Sequence, residues 1–275
     1  MKRISKKIIG ILATITLLCF ASLNISAETI STTTKVNYVK QVLIQEGVSE
    51  DIVEKMSTTV KLSMYEKMQN YDFYISDVEE KVVSFENIQD EKSATTYATI
   101  PESKMSITSM YTNYVTGNKV ESVECYYYSE WLSGPNVNGT DGLTMNWDSS
   151  LFTLDGFVAY PAGKIDGIHV DFNTITRPAS ATQGGYGINI PLFSQYFNQS
   201  VEMLTAFTPR NTLYTTSNIT SNINYEYGHE TIGITPSVSF SATDKSVNIQ
   251  PSIGLDTAAE VITYYSNRQI VNEDW

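Results

Sequence analysis

The repeat length of the apolar residues changes once along this chain, and that change constrains the fold more than any single motif. Ile52, Met56, Val60, Met64 and Met68 recur every four positions, the signature of one helix face. From about Tyr74 onward the helical period is gone. Glu121, Val123, Cys125 and Tyr127 alternate with Ser122, Glu124, Tyr126 and Tyr128, which is strand spacing. A helical segment followed by strands, with no helices alternating between them, predicts antiparallel sheets rather than a parallel α/β fold.

The helical part can be divided by its caps. Val36, Val39, Val42 and Leu43 mark a first helix that Gly47 can end. Ser49, followed by Glu50 and Asp51, is a suitable N-cap for a second. A further cap at Ser57-Thr58-Thr59 can interrupt the methionine stripe and start a third helix.

Among the strands, the closing segment carries the strongest pattern. Ile232, Ile234, Pro236, Val238 and Phe240 are followed by Val247, Ile249, Pro251, Ile253 and Leu255, each set spaced by two. A hairpin turning near Asp244-Lys245 puts both sets on one face and pairs Phe240 with Ile249 and Val238 with Pro251. Residues 135–142 are rich in Pro, Asn, Asp and Gly and read as a loop, and residues 151–160 return to strand. In residues 167–172, Ile168, Val170 and Phe172 take one face and His169 and Asp171 the other.

The predicted organisation is therefore a signal peptide over residues 1–27, a helical region over 28–72 and an antiparallel β-sandwich over 73–275. The first assignment rests on Lys2, Arg3, Lys6 and Lys7, an apolar core over residues 8–20 too short to span a bilayer, and the small-residue ending Ser26-Ala27. Cys19 lacks the preceding small residue expected of a lipidated cysteine, so cleavage after Ala27 without an anchor is expected. The chain is thus expected to be secreted and extracellular.

Losing those four basic residues moves the formal charge from −12 to −16. Such an acidic chain has no basic patch with which to neutralise phosphates, which excludes nucleic acid as a partner. Cys125 would be the one cysteine left, so packing rather than an intramolecular disulfide must hold the fold.

The motifs for catalysis are thin. With His169 and His229 alone, a histidine-rich zinc site is excluded. His229-Glu230 has no second histidine after it, and no Gly-x-Ser-x-Gly elbow occurs. Cys125 with one of the histidines would form a Cys/His hydrolase, but it stands in mid-strand without a feature that would expose or acidify it. His169 and Asp171 share a strand face, as a solvated pair would. Residues 136–142 resemble a calcium loop in composition yet lack its glycine and its closing glutamate. No spacing singles out a glycosidase carboxylate pair. The reading calls for no cofactor and no metal.

Aromatic side chains remain. Tyr126, Tyr128 and Trp131, with Trp147 on the next strand-like segment, are the candidate ligand-binding residues, since alternation sends Tyr127 to the face opposite Tyr126 and Tyr128. Rings exposed in this way would stack on a cell-envelope glycan or anchor a protein. The leading expectation is a secreted non-enzymatic binding module. One alternative is a pore-forming protein that uses the hairpin at residues 231–255, whose uncharged alternation suits a membrane barrel. Pro236 and Pro251 each remove a ladder donor and disfavour membrane insertion.

The run Glu46-Gly47-Val48-Ser49-Glu50-Asp51, the segment Met64-Tyr65-Glu66-Lys67, the tyrosine/Trp131 strand, the closing hairpin and Val261-Ile262-Thr263-Tyr264-Tyr265 combine into a familiar layout. It resembles uncharacterised secreted proteins of Gram-positive bacteria. The resemblance implies location and architecture, and it carries over no catalytic residue.

Overall fold

The computed structural model describes residues 30–84, 104–133, 139–182, 184–193, 195–214, 220–229, 236–240, 247–251 and 260–269. The expected signal peptide, the outer parts of the closing hairpin (residues 231–235 and 252–255) and its expected turn at Asp244-Lys245 lie outside the described residues.

Among the described residues, three helices come first: α1 (Thr32–Gln45), α2 (Glu50–Lys55) and α3 (Thr58–Met68). Each starts at a serine whose hydroxyl accepts a backbone N–H. Ser31 accepts from Thr34, Ser49 from Ile52 and Ser57 from Val60. Gly47 ends α1 with a φ of +94°, and its N–H donates to Ile44 while Val48 N–H donates to Leu43. That pair of bonds is a Schellman cap, and it needs the left-handed conformation that glycine adopts without strain. The methionine stripe is buried along its whole length, from Ile52 to Met68.

The strands form two antiparallel sheets and a separate ribbon. The large sheet contains β1 (Asp72–Ser84), β2 (Lys104–Thr116), β3 (Lys119–Ser133), β5 (Phe152–Ile165), β6 (Ile168–Asp171), β9 (Phe197–Pro209) and the short β10 (Leu213–Tyr214). Its order is β1-β2-β3-β9-β5-β6, with β10 on β3. The second sheet contains β4 (Gly139–Asn146), β7 (Ser180–Thr182), β8 (Gly185–Leu192), β11 (Thr220–His229) and β14 (Glu260–Gln269), in the order β14-β11-β4-β8-β7. The protein is mainly β, an antiparallel sandwich preceded by a small helical region, as the change of period predicted.

Alternation divides the large sheet between two cores. Met105, Ile107 and Tyr111 of β2, Val123, Cys125, Tyr127 and Trp131 of β3, and Val201, Met203 and Phe207 of β9 face the second sheet. There they meet Leu143, Met145, Trp147, Tyr186 and Ile188. The opposite face presents Met110, Tyr114, Tyr126 and Leu204, and the helices cover it with Val39, Leu43, Ile52, Met56, Val60 and Met64. Every residue of β2 between Lys104 and Thr116 is consequently buried. Burial of each such large apolar side chain contributes roughly 1.5–3 kcal/mol.

Two local expectations are corrected. The strand β4 begins at Gly139, so the loop read over residues 135–142 is strand from there on, and Asp141 is fully buried. In the closing hairpin, β12 (Pro236–Phe240) pairs with β13 (Val247–Pro251), with Phe240 opposite Val247 and Val238 opposite Ile249. The expected register is off by two residues. A two-residue slip keeps every side chain on its own face, so alternation could not choose between the registers. The ribbon lies against β4, β7 and β11 rather than joining either sheet.

Candidate functional site

The half-exposed aromatic surface of this protein forms at one end of the sandwich, where three connections meet. Asp166 and Gly167 join β5 to β6 with φ values of +52° and +78°. Two consecutive left-handed residues make the type I′ turn that matches strand twist, and Asp-Gly is a favoured pair for it. The returning strand ends at Asp171, after which Phe172 N–H donates to the Pro161 carbonyl at 2.8 Å. On the other side β8 ends at Leu192, and a turn closed by Tyr196 N–H and the Phe193 carbonyl at 3.0 Å leads into β9. Asn198, at φ +46°, bends the start of β9.

These segments bring three rings together. Phe172 lies 4.9 Å from Phe193 and 5.0 Å from Tyr196, and Phe193 lies 5.9 Å from Tyr196, all edge to face. Each ring is half-buried. Phe197, the chain neighbour of Tyr196, and Ile168, at the tip of the β5–β6 hairpin, are each 67% exposed, and Ile165 opposite Ile168 faces solvent as well. Beneath the rings, Gln199 is buried and accepts Phe193 N–H through Oε1 at 2.9 Å.

The four predicted ring residues are placed elsewhere. Tyr126 and Trp131 are each 1% exposed and Trp147 is 5% exposed. Trp131 meets Tyr227 edge-on at 6.1 Å inside the sandwich, and Trp147 packs 5.2 Å from Phe207. Tyr128 is half-buried against the helical core and donates to Glu130 Oε2 at 3.3 Å. The alternation of Tyr126 and Tyr127 is as read, but the face given to solvent is the face the helices cover, and this hides Tyr126 and much of Tyr128. Trp131 and Trp147 face the other way and are buried between the two sheets, so the expectation that these four rings are displayed is corrected.

Cys125 is fully buried in the sandwich core. His169 lies on the edge strand β6, three strands away, with its side chain 59% exposed and Nε2 at 2.8 Å from Asp171 Oδ1. The row through Cys125 runs across the sheet to Thr205 and Phe157, whereas His169 pairs with Lys164. The fold thus keeps Cys125 and His169 apart. His229 pairs with Glu260 at the end of β11, in the other sheet. Among the described residues, no group of three or more His, Cys, Asp or Glu side chains is placed to hold a metal.

Three buried carboxylates escaped the sequence reading, and each ties elements together. Glu202 Oε1 accepts Ser57 N–H at 2.7 Å, at the start of α3. Its pKa is pushed up by burial, which outweighs the opposing hydrogen bonds from Ser57 and the attraction of Lys61. Lys61, itself 3% exposed, donates to the Met56 carbonyl, and burial pushes its pKa down. Glu124 accepts Tyr114 O–H at 2.7 Å, and Asp141 accepts Tyr227 O–H at 2.6 Å. Burial first, then the facing carboxylate, pushes both tyrosine hydroxyls well above their ordinary range. No spacing marks these acids in the sequence, because their partners are distant in the chain.

No protein-family model matches the chain, and no curated protein matches it. Among solved structures it is similar to one described as "BspA_C_WT", at 8% identity and a TM-score of 0.29, over 58% of this chain and 59% of that one. It is also similar to a mutant of the carbohydrate-binding module CBM29-2, at 11% identity and a TM-score of 0.20, over 48% and 84% of the two chains. A third likeness is to a structure described as manganese lipoxygenase of Gaeumannomyces graminis with partial zonadhesin of Komagataella pastoris. It has 8% identity and a TM-score of 0.24, over 70% and 82%. At such scores these likenesses carry nothing about function.

Proposed function

We propose that this protein is a secreted, non-catalytic β-sandwich module that binds a protein or cell-envelope glycan at its aromatic end. One observation carries the reading: Phe172, Phe193 and Tyr196 form a half-exposed cluster next to the exposed Phe197. Exposed apolar surface concentrated at one end of a soluble domain marks a contact site more often than chance packing. The basic and apolar stretches of residues 1–27 support secretion, and the resemblance to Gram-positive secreted proteins suggests the cell wall as the first surface to try. The test is sedimentation of the chain lacking residues 1–27 with purified Gram-positive cell walls. Phe197→Ala and Tyr196→Ala are expected to lower the retained fraction at least about tenfold, the loss of one well-buried anchor. Retention unchanged in both variants overturns the assignment to this end.

A second reading has its own observation. The β12–β13 ribbon belongs to neither main sheet. Thr144 and Asn146, on the strand β4 that it contacts, are buried, and Thr144 Oγ1 and Asn146 Oδ1 have no hydrogen-bond partner among the described residues. A ribbon outside both main sheets can leave without unpairing either of them, as release into a membrane requires. Dye release from phosphatidylcholine vesicles that disappears in Val238→Asp and Ile249→Asp would establish this reading; intact vesicles with folded protein would remove it.

A further inference from the structure

We propose that the ligand of the aromatic end is a neutral polysaccharide and that the Gln199 amide group orients it by donating a hydrogen bond. This rests on the binding reading above and narrows it to one ligand class. Gln199 is 2% exposed, and its side-chain nitrogen is buried without a hydrogen-bond partner among the described residues. The amide cannot be turned round to cure this. Its oxygen is needed by Phe193 N–H at 2.9 Å, a donor that an NH2 group could not serve. Two donors are therefore held in a fixed direction with no acceptor among the described residues, and buried polar groups in that state call for one.

The acceptor would arrive among the rings. A Cβ placed on Gly163 would lie 2.9 Å from Tyr196 Cβ, 3.1 Å from Phe172 Cζ and 3.3 Å from Gln199 Cγ. Only the absence of that side chain lets Gln199, Phe172 and Tyr196 converge. Sugars combine what this place offers: C–H faces that pack on rings, and hydroxyl oxygens that accept hydrogen bonds at the edge of the same face. The three rings stand at 61° to 81° to one another, a curved surface rather than a flat one. Charge argues for a neutral chain. The neighbouring Lys164 is taken by Glu130, and the net charge of −12 repels polyanions. Since Gln199 is covered, a ring must move aside for the sugar. Tyr196, whose link to Phe193 is closed by one turn hydrogen bond, is the ring placed to do so.

Calorimetric titration with chitohexaose and cellohexaose, together with binding to cell walls treated with protease or with periodate, tests this. Binding of at least one oligosaccharide is expected, as is retention on walls that survives protease and is lost after periodate. Gln199→Glu keeps an oxygen for Phe193 N–H and, once ionised, offers no donor, so its affinity is expected to fall at least about tenfold at a pH above the ionisation of this carboxyl, with circular dichroism showing the fold retained. Gly163→Ala, which crowds Tyr196 without altering any polar group, is expected to lose binding as well. Saccharide binding equal in wild type and Gln199→Glu overturns the role of the amide. Retention lost to protease and kept after periodate overturns the polysaccharide and leaves the binding module standing. No retention on either wall and no titration signal overturns both.

Discussion

The Lys67 ammonium on α3 stands 2.9 Å from a carboxylate oxygen of Glu124, in the middle of the large sheet. The carboxylate is 3% exposed, while the lysine side chain retains 27%. The same ammonium reaches Ser122 Oγ at 3.2 Å and lies 5.1 Å from the centre of the Tyr114 ring, so one side chain joins helix and sheet in three ways. Lys67→Ala would leave a buried charge without its counter-ion, and a loss of about 3 kcal/mol in urea unfolding is expected, near the low end for such pairs because the lysine is partly solvated. The double variant Lys67→Met, Glu124→Gln is expected to recover most of it. Equal losses in the single and double variants would show that the pair contributes no coupling.

Glu202 gives the helical layer a pH dependence. A carboxyl whose pKa is higher in the folded chain than in the unfolded one holds its proton more tightly when folded. Its contribution to stability is therefore present on the acid side and lost as pH rises through the folded value. Ser57, Tyr126 and Lys61 surround it, and the lowered pKa of Lys61 works in the opposite direction. Glu202→Gln still accepts Ser57 N–H and cannot ionise. The unfolding free energy of this variant is expected to rise relative to wild type over the interval from about pH 4, the ordinary glutamate value, up through the folded value. A difference that stays flat across that interval would sink the assignment.

Burial of Cys125 sets its reactivity. A thiol with no exposed surface reacts only when the sandwich opens. Native labelling with a disulfide reagent is expected to run more than about a hundredfold slower than labelling in denaturant. Rapid native labelling would restore Cys125 as a candidate nucleophile.

The helices supply one wall of the second core. A chain starting at Asp72 would expose Met110, Tyr114, Tyr126 and Leu204 together. Aggregation of that chain is expected, since a contiguous apolar face of this kind is an association surface. A soluble monomer with an unchanged β spectrum would show instead that the helical region can be removed.

Local chemistry made the helices and strands readable. Ser49 and Ser57 sit one residue before their helices, and the two-residue period of β3 is visible in the chain itself. What covers each face was not readable. Tyr126 and Tyr128 alternate as surface residues of a half-exposed sheet would, and nothing near them in the chain announces α3. The aromatic end was hidden for a related reason, since Phe172, Phe193 and Tyr196 come from two connections and share no period. The run Phe193, Tyr196, Phe197 and the Asp166-Gly167 pair were the signals that could have pointed there.

Because one sheet serves as the common wall of two interiors, the spacing of β3 is fixed in a way that composition is not. Removing Glu124 from the regular part of the ladder would turn Tyr126 into the position of Cys125, inside the sandwich, and send Trp131 toward the face the helices cover. Both interiors would receive the wrong contents at once. Removing two residues would restore every side chain to its own room, displaced only along the strand. The strand therefore behaves as a frame read in steps of two, open to conservative exchange of letters and closed to odd-numbered insertions and deletions.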